Sequence, residues 1–441
     1  MSGKRAYAPQ RVILLGFAAA IAAGALLLSL PIAVRDKPLS LIDALFTATS
    51  AVCVTGLVVV DTADTFTLFG RTVIALLIQI GGLGVATLST FTALLIGRRI
   101  GLKERILLQE ALNRSDLEGL VRLLRYVILT TLVIEAIGAL LLTALWTPSA
   151  GLLRALGWGA FHAISAFNNA GFDLSGAFAS LSGQPAGVLW VIGVLIVLGG
   201  LGFVVIADLQ QNGLRWRRWS YQTRIVALSS AALIVFGTAV LAAAEAGRAE
   251  TWGGLNWWSQ LGHAAFQSIA ARTAGFASID IGRLQHASLL IIMLLMFIGA
   301  SPNSTGGGIK TTTFVVLLTA VRATLTRRAD PSALGHRLSS DTVHRAIALT
   351  FLAATVVTFG SGLLLIAEPQ ISFEAAAFEV ISAFSTAGLS TGITTGLSIP
   401  AKLILVMIMF LGRAGLLTFV VAIARPAAEP FRLPESKLPI G

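Results

Sequence analysis

Eight apolar runs constrain the fold of this 441-residue chain more than any other feature of its sequence. Most of them reach the roughly 20 residues that an α-helix needs to cross about 30 Å of hydrocarbon. Only 12% of the residues are charged, which is about half the share found in soluble domains. The sequence therefore predicts a multi-pass, all-α membrane protein. The runs are 12–31, 72–96, 127–146, 186–206, 225–244, 289–300, 346–366 and 399–424.

Basic residues are concentrated in alternate connections between these runs. One side, which includes both termini, holds 22 of the 32 Lys and Arg residues. The positive-inside rule makes that side cytoplasmic, and it explains the net charge of +11 without a nucleic-acid partner. Both termini are then expected in the cytoplasm. The opposite side holds seven cations: Arg35, Lys37, Arg71, Arg154, Arg248, Arg283 and Lys402.

Each outward connection contains a shorter apolar segment that is too short to span the membrane. These segments, 41–54, 156–170, 261–274 and 373–387, lead into one shared pattern. The pattern reads FTATSAVCVTGL, FHAISAFNNAGF, AFQSIAARTAGF and FEVISAFSTAGL. Its glycines lie 115, 104 and 113 residues apart, and such internal repetition indicates one structural unit used four times.

We therefore predict four units of M1, pore helix and M2, which are eight transmembrane helices plus four pore helices in pseudo-fourfold arrangement around one ion pore. The predicted repeats are residues 1–97, 98–213, 214–324 and 325–441, the last including the C-terminal tail. Irregular backbone is tolerated at membrane depth where it lines a wet cavity. Converging glycine loops meet that condition.

The glycine loops have the chemistry of a cation filter. Helix C-terminal ends carry partial negative charge, and rings of carbonyl oxygens replace the hydration shell of K⁺ in K⁺ channels. Since each loop has one glycine where TVGYG has two, we expect fewer ion sites and looser selectivity. Helix packing by small residues is the alternative. The predicted ion-binding residues are Val54, Thr55, Gly56, Asn169, Ala170, Gly171, Thr273, Ala274, Gly275, Thr386, Ala387 and Gly388.

The third repeat departs from the others at GASPNSTGGGIKTTT, residues 299–313. Proline and glycine favour a helix break here, and a small polar segment below the filter predicts a gate; a packing kink is the alternative. Arg413 stands where the first two repeats have Gly82 and Gly200. A charge at that depth predicts a function, either barring the pore or pinning repeats together. The predicted gating residues are Gly299, Pro302, Asn303, Ser304, Thr305, Gly306, Gly307, Gly308, Lys310 and Arg413.

Other polar residues lie close to the filter in sequence. We expect Asp61, Asp64 and Asp173 at the pore mouth, where carboxylates raise the local cation concentration. Glu379 has either a structural or an ion-binding role, and His162 is interpreted as a packing residue. No cluster has metal-ligand spacing, so K⁺ in the filter is the only metal expected.

These motifs resemble the Trk/Ktr/HKT superfamily of cation transporters, and within it the KtrB-like membrane subunits. The resemblance rests on the four single-glycine loops and the GASPNSTGGGIKTT segment, and it covers nearly the whole chain. It implies K⁺ uptake across the bacterial inner (plasma) membrane, with Na⁺ as a further candidate ion through Na⁺ dependence. It also implies a homodimer, a KtrA-like cytoplasmic ring of nucleotide-binding regulatory subunits, and no organic cofactor. Gly56, which some Na⁺-carrying plant relatives replace by serine, favours K⁺.

Three functions are alternatives to a K⁺ pore. An alternating-access transporter, which often uses inverted repeats and broken helices, and a Na⁺-selective transporter are the alternatives. An intramembrane enzyme would need a nucleophile with a base, or paired carboxylates, at membrane depth. No such set recurs in the repeats, so the chain is not expected to be an enzyme.

Overall fold

The computed structural model describes residues 9–84, 87, 120–176, 181–252, 254–328 and 330–416. Within these ranges the helices are joined by loops, and the two named strands, β1 (Ser332–Ala333) and β2 (His336–Arg337), form a small antiparallel hairpin. The predicted boundary at 97/98 and the C-terminal tail lie outside the described residues. The helices are α1 (Pro9–Leu28), α2 (Leu41–Val52), α3 (Thr62–Thr65), α4 (Leu68–Leu83), α5 (Leu120–Ala150), α6 (Leu152–Phe167), α7 (Ala186–Leu201), α8 (Phe203–Asn212), α9 (Tyr221–Ala244), α10 (Trp257–Ala270), α11 (His286–Phe297), α12 (Thr311–Leu325), α13 (Ser340–Ala367), α14 (Phe373–Ser385) and α15 (Ile399–Ala414).

The first helix of each repeat is continuous. In the described ranges, α1, α5, α9 and α13 are each long and apolar enough to cross a membrane alone. A fifth crossing is formed if α7 and α8 are taken as one bent span. The chain is thus a multi-pass membrane protein by the length and composition of these helices.

The second helix of the first, second and fourth repeats ends at a glycine, and that of the third repeat is broken, which corrects our expectation that only the third would break. Helices α4, α7 and α15 end at Gly84, Gly202 and Gly415, whose φ angles are 83°, 93° and 83°. Glycine adopts such angles without a Cβ clash. After Gly202 the chain resumes as α8 at an angle of 100°. The third repeat differs because a longer segment separates α11 from α12.

The short helices α2, α6, α10 and α14 correspond to the predicted pore helices. Three begin at a side-chain cap, in which Ser40, Asn256 or Ser372 accepts a backbone N–H bond from three residues ahead. Such caps satisfy amides that the first turn leaves free. All four helices end two to four residues before the apolar segments do, because the chain leaves the helix to form the glycine loop.

The repeats close into a ring. Helix α6 packs against α4, α10 against α7, α14 against α11, and α2 against α15. Each short helix therefore rests on the second helix of the preceding repeat, and the first repeat rests on the fourth. The buried apolar clusters join neighbouring repeats in the same order. The predicted fold class is confirmed as an all-α membrane protein with repeats arranged around one centre.

Matched glycines permit this close packing. A Cβ atom at Gly81, Gly199 or Gly412 would overlap the carbonyl oxygen of Val52, Phe167 or Phe384, respectively. Each of these carbonyls lies four residues before a loop glycine. In membranes, small residues of this kind let helices approach closely. The short helices are thereby seated at a common depth.

Candidate ion-binding site

The four glycine loops, residues 54–56, 169–171, 273–275 and 386–388, share one backbone conformation. In each loop, both the first residue and the glycine have positive φ angles. For non-glycine residues this conformation costs about 1–3 kcal/mol, and such strain concentrates at functional sites. The first residues are Val54 (52°), Asn169 (57°), Thr273 (67°) and Thr386 (51°), and the glycines are Gly56 (93°), Gly171 (69°), Gly275 (76°) and Gly388 (80°).

The loop glycines lie against one another in cyclic order. An ideal Cβ on Gly56 would lie 3.0 Å from the Cα of Gly171, and one on Gly171 would lie 2.8 Å from the Cα of Gly275. A Cβ on Gly275 would lie 3.3 Å from the Cα of Gly388, and one on Gly388 would lie 2.9 Å from the Cα of Gly56. The structure therefore brings all twelve predicted ion-binding residues to one centre.

Backbone hydrogen bonds orient the loop carbonyls. The N–H groups of Thr55, Ala170 and Ala387 donate back to carbonyls of their own short helices, at 2.8, 2.7 and 2.8 Å. Because the N–H and C=O of a planar trans peptide point in opposite directions, the preceding carbonyl in each loop points away from its helix. In the third loop, Ala274 N–H bonds to Ala270 O at 3.0 Å. These carbonyls can face an ion at the centre.

Several buried polar side-chain atoms in and beside the loops have no protein partner in the described part of the chain. Buried polar atoms are normally hydrogen-bonded, so the hydroxyl oxygens of this group fit a site that takes its partners from water or a passing cation, and the amide nitrogen fits one that donates to water. The atoms are Oγ1 of Thr55, Thr273 and Thr386, Nδ2 of Asn169, and Oγ of Ser382 and Ser385.

On one side of the loops lies a cavity of about 200 Å³, the mouth cavity, which is lined by all four loop glycines. Asp61 and Asp173 line it as expected, whereas Asp64 lines a neighbouring groove instead. Asp280 also lines the cavity and was missed. A signal for it existed in the sequence, since Asp280 follows Gly275 by five residues as Asp61 follows Gly56.

On the other side of the loops lies the 299–313 segment. Thr305 Oγ1 donates to Phe167 O at 3.2 Å and to Asn169 Oδ1 at 3.1 Å. The backbones of Gly306 and Gly307 lie directly against the side chains of Thr273 and Thr386. The segment thus contacts the second, third and fourth loops on the side opposite the mouth cavity.

The bend of the second repeat holds this segment in place. The N–H of Phe203 donates to Asn303 O at 2.9 Å, and the N–H of Ser301 donates to Gly200 O at 3.0 Å. Pro302 O packs against Gly202, and Ser304 Oγ donates to Ser301 O at 2.6 Å. The segment is therefore inserted between α7 and α8 rather than free in a channel.

Arg413 and Lys310 add bonds to carbonyl oxygens. The Arg413 guanidinium donates to Thr305 O and Gly81 O. Lys310 Nζ donates to Gly306 O at 2.6 Å. Arg413 forms no salt bridge with a described carboxylate. Its contacts join α15 of the fourth repeat to the 299–313 segment and to α4 of the first.

Two polar residues on the short helices form hydrogen bonds with the chain that follows the loop glycines. Glu379 and His162 each lie nine residues before a loop glycine. Glu379 accepts bonds from Ser390 Oγ, from Thr391 N–H at 3.1 Å and from Thr394 Oγ1 at 3.0 Å. His162 Nε2 lies 2.9 Å from Asp173 Oδ1. His162 is buried and packs against Trp146 and Phe276, as interpreted, and it also pairs with the chain that leaves the second loop, which was not expected.

Glu379→Ala is expected to destabilise the fourth loop. It leaves buried donors unpaired, which costs about 1–3 kcal/mol. It also removes the hydrogen bonds that hold the chain just after Gly388, so the carbonyl of Gly388 can change its direction. We expect a lower melting temperature in detergent and weaker discrimination between K⁺ and Na⁺ in flux competition. Glu374→Ala on the same helix is the control, since its pairing with His286 is at the surface and worth less than about 1 kcal/mol. Equal effects of the two changes would contradict this role.

Comparisons with known proteins were made over the whole chain. The model of the family described as TrkH, cation transport protein, matches residues 18–215 and 218–432. Ktr system potassium uptake protein B of Bacillus subtilis is 41% identical, covering 98% of this chain and 96% of its own length. Potassium/sodium uptake protein NtpJ of Enterococcus hirae is 35% identical, covering 99% and 98%. The crystal structure of the potassium transporter TrkH from Vibrio parahaemolyticus shares the fold, with a TM-score of 0.74 at 17% identity, over 96% of this chain and 87% of that one.

Proposed function

The chain belongs to the TrkH family of cation transport proteins, and on that premise we propose that it mediates channel-like K⁺ uptake through a filter made by the four glycine loops. The observation that carries this proposal is the closed ring of Gly56, Gly171, Gly275 and Gly388. Carbonyl oxygens around such a ring can replace the water shell of an alkali ion. The acidic mouth cavity would concentrate cations at its entrance.

We propose K⁺ as the preferred ion and Na⁺ as a second ion that the filter admits or depends on. One glycine per loop leaves fewer carbonyl rings than TVGYG does, which favours moderate discrimination. The relative NtpJ is named for potassium and sodium, in keeping with such a filter. No organic cofactor is part of this proposal, and neither is an enzymatic activity.

We propose that the 299–313 segment is the gate. It lies beneath three of the four glycine loops, and Arg413 and Lys310 tie its carbonyls in place. Its small residues permit rearrangement, because glycine backbone is permissive. Opening would require the segment to leave the loops while α7, α8 and α15 retain their positions.

We further propose that both termini are cytoplasmic in the plasma membrane and that the four repeats have the limits given above. The side predicted to be cytoplasmic carries exposed arginines on the chain around α8 and after α12, among them Arg215, Arg218, Arg327 and Arg328. This basic face suits docking of a nucleotide-binding regulatory ring, and the Bacillus subtilis relative is named as part of a Ktr system. A homodimer completes the proposed assembly.

Purified protein in liposomes tests the function. With an outward K⁺ gradient, ⁸⁶Rb⁺ should accumulate down its electrochemical gradient, and K⁺ should compete with it better than Na⁺ does. Obligatory exchange at fixed stoichiometry would support alternating access instead. Absence of K⁺ competition would contradict the proposed filter.

A further inference from the structure

A second cavity, which we call the arginine groove, opens between the first and second repeats. Its volume is about 660 Å³, and Arg35, Arg71 and Arg154 line it together with a single acid, Asp64. None of the three arginines forms a salt bridge with a described carboxylate. The groove therefore presents excess positive charge, because the nearby carboxylates Asp64 and Asp61 offset only part of the charge of three arginines.

Three of the other four cations that are predicted to face outward have carboxylate partners. Arg248, Arg283 and Lys402 pair with Glu250, Asp280 and Asp43 at 2.6, 3.1 and 2.7 Å. Outward-facing basic residues are disfavoured by the positive-inside rule. Three unpaired arginines that line one groove point to an anionic ligand supplied from outside the chain.

Much of the rest of the groove is apolar, although Thr72 and Ser175 also line it. Leu68 and Leu153, which line it, are 80% and 87% exposed. Trp158 also lines it, with the guanidinium of Arg154 6.0 Å from its ring centroid. Tryptophan favours the membrane interface, where one part of the ring meets headgroups and the rest meets acyl chains. A soluble anion would make no use of this apolar wall.

We propose that the arginine groove binds an anionic phospholipid of the leaflet at the pore mouth. The phosphate lies among Arg35, Arg71 and Arg154, and an acyl chain follows Leu68 and Leu153. Basic pockets between transmembrane helices recognise anionic headgroups in this way. The positive-inside orientation, part of the proposed function, decides only which leaflet supplies the lipid.

The site is coupled to the mouth cavity through helix α3. Asp61, just before α3, lines the mouth cavity, and Asp64 within it lines the groove. Arg71 donates to the carbonyl of Ala63 between them. Charges within about 10 Å are only partly screened by salt, so a phosphate bound among the arginines offsets their positive charge and strengthens the attraction of K⁺ to the acidic mouth cavity. Anionic lipid should therefore increase K⁺ uptake.

The binding test uses the double variant Arg35→Gln/Arg154→Gln. Neither side chain forms a hydrogen bond with the described residues in the structure, so the fold should persist; melting temperature checks this. After delipidation, native mass spectrometry with added phosphatidylglycerol or phosphatidylcholine should show preferential retention of phosphatidylglycerol by the unaltered protein. The double variant should retain it at least about tenfold less. Lys37→Gln, an outward cation outside the groove, is the matched control and should behave like the unaltered protein.

Four results would overturn the proposal. One is equal retention of the two lipids, and another is unchanged phosphatidylglycerol retention in the double variant. The third is stabilisation by inorganic phosphate equal to that by phosphatidylglycerol, which would indicate a soluble anion. A shift of the double variant from dimer to monomer without loss of lipid would also count against it, since the groove would then bind a second copy of the chain.

Flux measurements separate this site from the proposed function. In phosphatidylglycerol vesicles the unaltered protein and Lys37→Gln should transport Rb⁺ several-fold faster than in phosphatidylcholine, while the double variant should not respond. Lipid retention without K⁺-competed flux in any variant would contradict the proposed function and leave the lipid site supported. A full lipid response in the double variant would contradict the coupling to the mouth.

Discussion

Gly56→Ser is expected to reduce the preference for K⁺ over Na⁺ at least about tenfold, which corresponds to about 1.4 kcal/mol of differential ion stabilisation. The Cβ atom would lie 2.6 Å from Ala170 O and 3.0 Å from Gly171 Cα. Both are backbone atoms, so the neighbouring loop must move. Because the loops form a closed ring, displacement of one carbonyl disturbs the ion site that all four share. Competition of K⁺ and Na⁺ with ⁸⁶Rb⁺ uptake in liposomes measures the change.

The matched control is Gly392→Ser. Its φ angle of 96° is close to the 93° of Gly56, so serine carries similar backbone strain at both positions. A Cβ atom at Gly392 would have no neighbouring heavy atom within 4 Å among the described residues, so no filter carbonyl needs to move. Selectivity should stay close to that of the unaltered protein. If both variants lose selectivity equally, backbone strain rather than carbonyl displacement is the cause, and the filter assignment fails.

Deleting residues 303–308 is expected to increase K⁺ uptake at saturating K⁺ by about tenfold, a change of about 1.4 kcal/mol in the barrier. The deletion removes Thr305, Gly306 and Gly307, which contact the second, third and fourth loops. It removes an obstruction and leaves the glycine ring itself unaltered. Initial ⁸⁶Rb⁺ uptake rates per folded protein measure the effect. Reduced or unaltered uptake by well-folded protein would indicate a packing kink.

Two substitutions at Arg413 determine how that residue acts on the same gate. Lysine keeps the positive charge but lacks the fork of donors that reaches two carbonyls at once. If the guanidinium holds the segment through Thr305 O and Gly81 O, Arg413→Lys and Arg413→Gln should both raise uptake. If the charge itself bars the pore, Arg413→Lys should transport like the unaltered protein and only Arg413→Gln should be faster. The structure leads us to expect the first result.

Features set by neighbouring residues could be predicted from the sequence. Apolar length indicates spanning helices because one helix satisfies its own backbone in lipid. The repeated glycine pattern located the loops correctly because each loop requires the same local φ angles, such as those at Thr386 and Gly388. The short helices were predicted to within a few residues for the same reason.

Features that depend on distant partners could not be predicted. His162 packs as expected, but its pairing with Asp173 was missed, and Asp64 was expected at the mouth and instead lines the arginine groove. The interruptions at Gly84, Gly202 and Gly415 were also missed, since each apolar run continues past its glycine. Hydropathy indicates whether a segment lies in lipid or in water, and it contains no information on where the helix bends.

The sequence by itself determined the membrane class, the fourfold repetition and the identity of the loop residues, because these follow from local composition and backbone requirements. Only the tertiary structure decided which groups meet. Arg413 and Gly81 are 332 residues apart in the chain, and Arg35 and Arg154 belong to different repeats. The energy of a charge or a polar group depends on the atoms within a few ångströms of it, and the closure of the ring selects those atoms.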